Sequence, residues 1–213
     1  IYGLEAVYTE NEELTLYPVW TANEYTVKFD TAGGTLIGDR TGVTWSDKVL
    51  DDITSPTREG WNFEGFKCGD ITVTASTAYA DLAGDDSVSS VTLVAQWSDI
   101  EAPVGVIAIK SSTWREFLNS VTFGLFFKNT VGVTISADDN SGKPVKIEYL
   151  LSEETFETKD DIIGDWKVLN TSGNSARFNI EPDQKVFIYV RLTDQSGNDT
   201  VINSSGVVFY SDS

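Results

Sequence analysis

Between residues 25 and 30 apolar and polar positions alternate: Tyr25, Val27 and Phe29 fall on one face, Thr26, Lys28 and Asp30 on the other. A period of two predicts a half-buried strand. The Gly33-Gly34 pair behind it predicts a tight turn in which glycine supplies positive φ. The next apolar positions, Val49, Leu50 and Ile53, are spaced as on a helix and follow Ser46, a residue type that caps helix starts. They predict a short helix over 46–53, stopped by Pro56. Alternation returns with Trp61, Phe63 and Gly65 against Asn62, Glu64 and Phe66, a strand opened and closed by glycines. Residues 67–90 carry no clear period, and "SVTLVAQW" predicts a closing strand.

Beyond Glu101-Ala102-Pro103, where a proline stiffens the connection, the pattern changes. Apolar alternation recurs in short runs over 104–109, 121–127, 131–137, 146–152, 166–169, 176–180, 186–193 and 206–210. The turn signals "DDNSGK", "SGN", "EPDQ" and "DQSGND" separate these runs, and "SSTWREFLNS" could hold one helical turn. Many short strands with regular turns predict an antiparallel β-sandwich.

The cadence Thr-Leu followed by a Trp occurs twice, ending at Trp20 and at Trp97. Aligning the two Trp residues sets Tyr2 opposite Tyr79, so 1–20 reads as the tail of a preceding copy and 21–98 as one complete repeat. "YTVKFDTAGG", "PTREGWNFEGF" and "TLVAQW", in that order, resemble the internalin B-repeat, also called the Listeria–Bacteroides repeat. Phe66 stands where that family usually has Trp, and 67–90 is longer than its usual connection. "FKNTVGVTISADDNSGKPVKIEYLLS" followed by "QKVFIYVRLTDQSGND" resembles the Ig-like domains of bacterial cell-wall-anchored proteins. These resemblances imply a mainly β chain: a β-grasp-like α+β repeat module over 21–98, then an Ig-like antiparallel β-sandwich over 99–213. They also imply an extracellular setting on a bacterial cell surface, or secretion.

Composition narrows the chemistry. The chain has 213 residues, 40% of them hydrophobic and 12% aromatic, enough for real cores. The net charge of −18 opposes nucleic acid and anionic membrane surfaces, and no apolar run is long enough to insert in a membrane. The single Cys68 excludes an internal disulfide. With no His, histidine-based triads and Cys–His nucleophiles are ruled out, and no phosphate-binding glycine motif is present. The chain opens on Ile1 rather than Met, so it reads as a piece of something longer.

Neighbouring carboxylates recur at Glu12-Glu13, Asp51-Asp52, Asp85-Asp86, Asp138-Asp139, Glu153-Glu154 and Asp160-Asp161. They fall mainly in turns and read as solvated turns and helix starts rather than as a glycosidase pair. Two loops cluster side-chain oxygens: Asp138, Asp139 and Asn140 in one, Asp194, Asn198 and Asp199 in the other. The first reading is that Asp and Asn bond their own backbone two residues on; the alternative is calcium, although neither loop has EF-hand spacing. Lys110, Glu148 and Asn203 have an order compatible with an intramolecular isopeptide bond, against the simpler reading of a solvated lysine. No catalytic residue and no cofactor are expected.

The function expected is a non-catalytic stalk or adhesion fragment that projects a binding region and whose partner is a host or extracellular protein or a glycan. The alternative is a carbohydrate-binding accessory module of a secreted polysaccharide-degrading enzyme, with stacking rings drawn from Trp20, Trp45, Trp61, Trp114 and Trp166. A protein partner would be sought first along "TWREFLNSVTFGLFF". The apolar 1–20 segment predicts self-association through an unpaired strand.

Overall fold

The computed structural model describes residues 18–110, 125–126, 130–181, 185–204 and 208–209. The expectations placed on 1–17, on Trp114 and on most of 111–129 lie outside these residues. Among the described residues the chain is mainly β, with a single short helix.

Its first part contains β1 (Tyr25–Asp30), β2 (Arg40–Val43), β3 (Trp61–Cys68), β4 (Ile71–Val73), α1 (Tyr79–Ala83) and β5 (Ser90–Asp99). They build one sheet in the order β2-β1-β5-β3-β4. β1 runs parallel to β5, from Thr26 opposite Ser90 to Asp30 opposite Val94, while the other pairs are antiparallel. A parallel pair needs a long crossover, and here the crossover carries everything between the two strands. The alternation read from the sequence sends Tyr25 and Val27 of β1 and Val91, Leu93 and Ala95 of β5 into one core with Val43, Val49, Phe66, Val73 and Tyr79. The Tyr25 and Tyr79 rings stack at 4.5 Å, and the Tyr79 hydroxyl donates to Val88 O at 2.8 Å.

The helix expected over 46–53 does not form; that stretch is a series of turns. Thr44 N donates to Asp47 Oδ2 at 2.8 Å while Asp47 N donates to Thr44 O, closing a tight turn where a helix would start. The Thr44 amide first, and the Thr44 hydroxyl after it, hold the Asp47 carboxyl below its ordinary range. Val49 then sends its amide across to Thr77 O and its side chain into the core, and Asp52 takes φ +61°. Burial of Val49 outweighs local propensity. The helix lies instead in the stretch without a clear period. There Asp81 Oδ2 accepts from Ala78 N at 2.8 Å, and Gly84 ends the helix in the left-handed region. The same stretch also holds β4.

The glycine pair divides its work. Gly33 takes φ +92°, as expected, whereas Gly34 is needed for space: a Cβ there would stand 2.5 Å from Trp97 Cζ2. Trp97 Nε1 donates to Thr31 O at 3.0 Å, tying this turn to β5.

The second part contains β6 (Val104–Lys110), β7 (Leu125–Phe126), β8 (Val131–Asp138), β9 (Lys146–Ser152), β10 (Lys167–Val168), β11 (Thr171–Ser172), β12 (Ser175–Ile180), β13 (Lys185–Thr193), β14 (Asp199–Asn203) and β15 (Val208–Phe209). One antiparallel sheet has the order β10-β9-β13-β14-β15, with β7 also on β13; the other has the order β11-β12-β8-β6. They share a core of Val133, Ile135, Ile147, Ile180, Ile188, Val190, Leu192 and neighbours. On the opposite face of β13, Phe187 and Tyr189 join Leu150, Ile162 and Val201 in a second cluster. That double burial explains why β14 escaped the periodicity reading. Thr200, Val201, Ile202 and Asn203 are all buried, so the strand has no alternation to display.

Candidate metal centre

Three acidic residues meet where the first sheet hands the chain to the second part. Asp99 is the last residue of β5, Asp139 opens the β8–β9 loop, and Asp194 opens the β13–β14 loop. Each starts a turn by bonding its own backbone. Asp99 Oδ1 accepts from Glu101 N at 3.1 Å. Asp139 Oδ2 accepts from Ser141 N at 3.1 Å and from the Ser141 hydroxyl. Asp194 Oδ1 accepts from Ser196, Gly197 and Asn198 N at 2.9, 2.6 and 2.8 Å. This is the local chemistry expected of Asp in such turns.

Turn chemistry does not account for the other oxygens. Asp99 Oδ2 and Asp139 Oδ1 are buried and accept no hydrogen bond. Asp99, Asp139 and Asp194 are only 6%, 9% and 9% exposed, and one carboxylate oxygen of each lies within 4.8 Å of the others. At an effective dielectric of ~20, each such pair of charges repels by on the order of 3 kcal/mol. Among the described residues the three salt bridges all lie elsewhere, on Glu148 and Asp199.

Amides knit the surroundings together. Asn198 Nδ2 donates to Asp194 Oδ2 at 2.8 Å and to Asp99 O at 3.1 Å, joining the β13–β14 loop to β5. Asn140 Nδ2 donates to Glu101 Oε2 at 3.1 Å and more weakly to Gly60 O at 3.5 Å. Gly60 sits at φ +75°, and a Cβ there would come 2.5 Å from Glu101 Oε2 and 2.6 Å from Asn140 Nδ2. An open cleft of about 210 Å³, lined by Glu101, Ala102, Val104, Asp138, Asp139 and Asn140, leads to the Asp139 side.

Of the six loop residues singled out in the sequence, the fold brings Asp139 and Asp194 together and uses Asn140 and Asn198 as clasps. Asp138 is exposed at the end of β8, and Asp199 pairs with Lys159 at 2.6 Å. The third carboxylate, Asp99, was not anticipated. Its signal was an acidic residue two positions past the predicted strand that ends at Trp97, just before the Pro-marked boundary.

A second buried acid has the opposite environment. Glu148 on β9, 5% exposed, receives Arg191 Nη2 at 2.8 Å and Lys146 Nζ at 2.9 Å. The Arg191 guanidinium also lies 4.6 Å over the Trp166 ring. Burial pushes the Glu148 carboxyl up, but the hydrogen bonds and charges of Lys146 and Arg191 more than offset this and hold it below its ordinary value. Lys110, the lysine of the isopeptide trio, is exposed at the end of β6, the position of a solvated lysine.

The described tryptophans engage in internal contacts, Trp20 excepted at 88% exposure. Trp45 packs on Tyr25 and Tyr79, Trp61 lies under Arg58 at 4.0 Å, and Trp97 meets Phe63. No protein-family model, curated protein or solved structure matches the chain.

Proposed function

We propose that the chain is a non-catalytic, extracellular spacer or adhesion segment of a bacterial surface protein, made of a B-repeat-like module and an Ig-like one. The sheet order β2-β1-β5-β3-β4 with parallel β1 and β5 fits a β-grasp-like module. The two facing antiparallel sheets beyond residue 103 fit an Ig-like sandwich. In this reading the work of the chain is to hold a binding region for an extracellular protein or glycan at a distance from the cell wall.

The observation that carries the reading is the disposition of the aromatic rings. Trp45, Trp61, Trp97 and Trp166 are half-buried against other side chains or beneath guanidinium groups rather than set out as a coplanar stacking face. Affinity electrophoresis through gels containing soluble polysaccharides separates this reading from a carbohydrate-binding module. An unchanged mobility is expected. Retardation that disappears in Trp20→Ala or Trp61→Ala would establish the carbohydrate module instead.

A further inference from the structure

We propose that Asp99, Asp139 and Asp194 bind a calcium ion, and that this ion fixes the joint between the two sheet systems. The proposal stands whether or not the chain serves as a spacer. Calcium oxygens lie about 2.3–2.6 Å from the ion, so ligand atoms on opposite sides of it are separated by about 4.6–5.2 Å. Three carboxylate oxygens within 4.8 Å of one another are therefore close enough to share one ion. The two buried oxygens without a partner, Asp99 Oδ2 and Asp139 Oδ1, supply the independent sign that something is to be received there.

The donor set selects the kind of ion. Every candidate ligand is a carboxylate oxygen, the chain has no His, and Cys68 packs in the core of the first sheet. An all-oxygen set suits a hard cation. Magnesium demands near-ideal octahedral geometry and keeps several waters, whereas calcium accepts irregular cages rich in carboxylate. The cleft beside Asp139 gives the ion and its remaining waters a way in.

The placement of the ligands gives the ion a consequence. Asp99 ends the first sheet; Asp139 and Asp194 belong to two loops of the second part. The full ligand set exists only while these three elements stay together, so an ion bound there favours the closed joint by its differential affinity. Without it, the joint relies on the Asn140 and Asn198 amides and must absorb the repulsion of three carboxylates.

The test uses the 213-residue chain, freed of metal by a chelator. Isothermal calorimetry with calcium chloride is expected to show saturable binding of about one ion per chain. The melting temperature should rise by roughly 5–10 °C at a hundredfold excess over Kd. Small-angle scattering should show a narrower spread of chain dimensions with calcium than without. Asp99→Asn and Asp139→Asn should each remove most of the melting shift, while Asp138→Asn keeps it. Magnesium should give a weaker response, and an equal one would overturn the calcium assignment. The proposal fails if the unaltered chain shows no saturable heat and no shift beyond that of sodium chloride at equal ionic strength. It also fails if the shift survives in both cluster variants, because the response is then diffuse binding to a chain of charge −18. The calorimetry on the unaltered chain decides the matter even if a variant does not fold.

Discussion

Glu148 and the Asp99–Asp139–Asp194 cluster are both buried acids, and the molecule treats them in opposite ways. Glu148 is surrounded by its compensation: a guanidinium, an ammonium and the Trp166 ring that backs the guanidinium. The cluster has amides and turns but no positive side chain in its described surroundings. The difference teaches that burial alone does not define a site. A paired acid is part of the scaffold, whereas buried carboxylate oxygens without a partner, in a cluster of like charges, leave a partner still to be supplied.

The largest expected effect breaks the compensated side. Arg191→Ala removes the guanidinium from Glu148 and the stacking contact from Trp166. It should cost about 2 kcal/mol in urea unfolding at neutral pH. That is below the usual cost of breaking a buried pair, because the Arg191 side chain is 32% exposed and Lys146 remains. A next, smaller effect compares signs. Glu148→Gln should lose about 1 kcal/mol. In chelator, Asp99→Asn should lose nothing and gain up to about 1 kcal/mol, because a charge leaves an unbalanced trio and an amide donor enters it. If both substitutions destabilise equally under chelation, the cluster is compensated after all.

Acid sharpens the same contrast. The Glu148 carboxyl is lowered in the folded state, so its stabilisation is present above the unfolded value of about 4.3 and is lost as pH falls through the folded value. Urea midpoints followed downward from about pH 4.5 should therefore fall more steeply for the unaltered chain than for Glu148→Gln. The smallest effect concerns Asp199. Its partner Lys159 is in place, so Asp199→Asn should cost less than about 1 kcal/mol and leave the calcium response unchanged. A lost calcium response would move Asp199 from the counter-ion class into the ligand class.

The sequence was most legible where one face of a strand meets a core and the other meets water. Strand β9 runs over 146–152 as the alternation predicts, and the Tyr25-Val27 face of β1 points where its period directs it. Legibility failed where tertiary contacts replace the local pattern. The apolar spacing of Val49 and Leu50 mimics a helix, but Val49 is pulled into a core by a chain segment nearly thirty residues further on. β14 is buried from Thr200 to Asn203 and shows no period. The candidate site was half legible for the same reason. The Asx loops announce Asp139 and Asp194 by their neighbours, whereas Asp99 belongs to a strand end and becomes a ligand candidate only when two distant loops fold onto it.

The parallel pairing of β1 with β5 has a consequence for a chain held at both ends. β1 receives the chain at Tyr25 and β5 releases it at Asp99, and the two strands run side by side in the same direction. Tension applied across this sheet pulls the start of one strand away from the end of the other, along the strands and across their hydrogen bonds. The register from Thr26–Ser90 to Asp30–Val94 is then loaded in shear, and its bonds resist together rather than opening one after another as in a zipper. Pulled singly between residues 25 and 99, this sheet should yield at a higher force than it does when pulled across the antiparallel β3–β4 hairpin, whose bonds can peel in sequence.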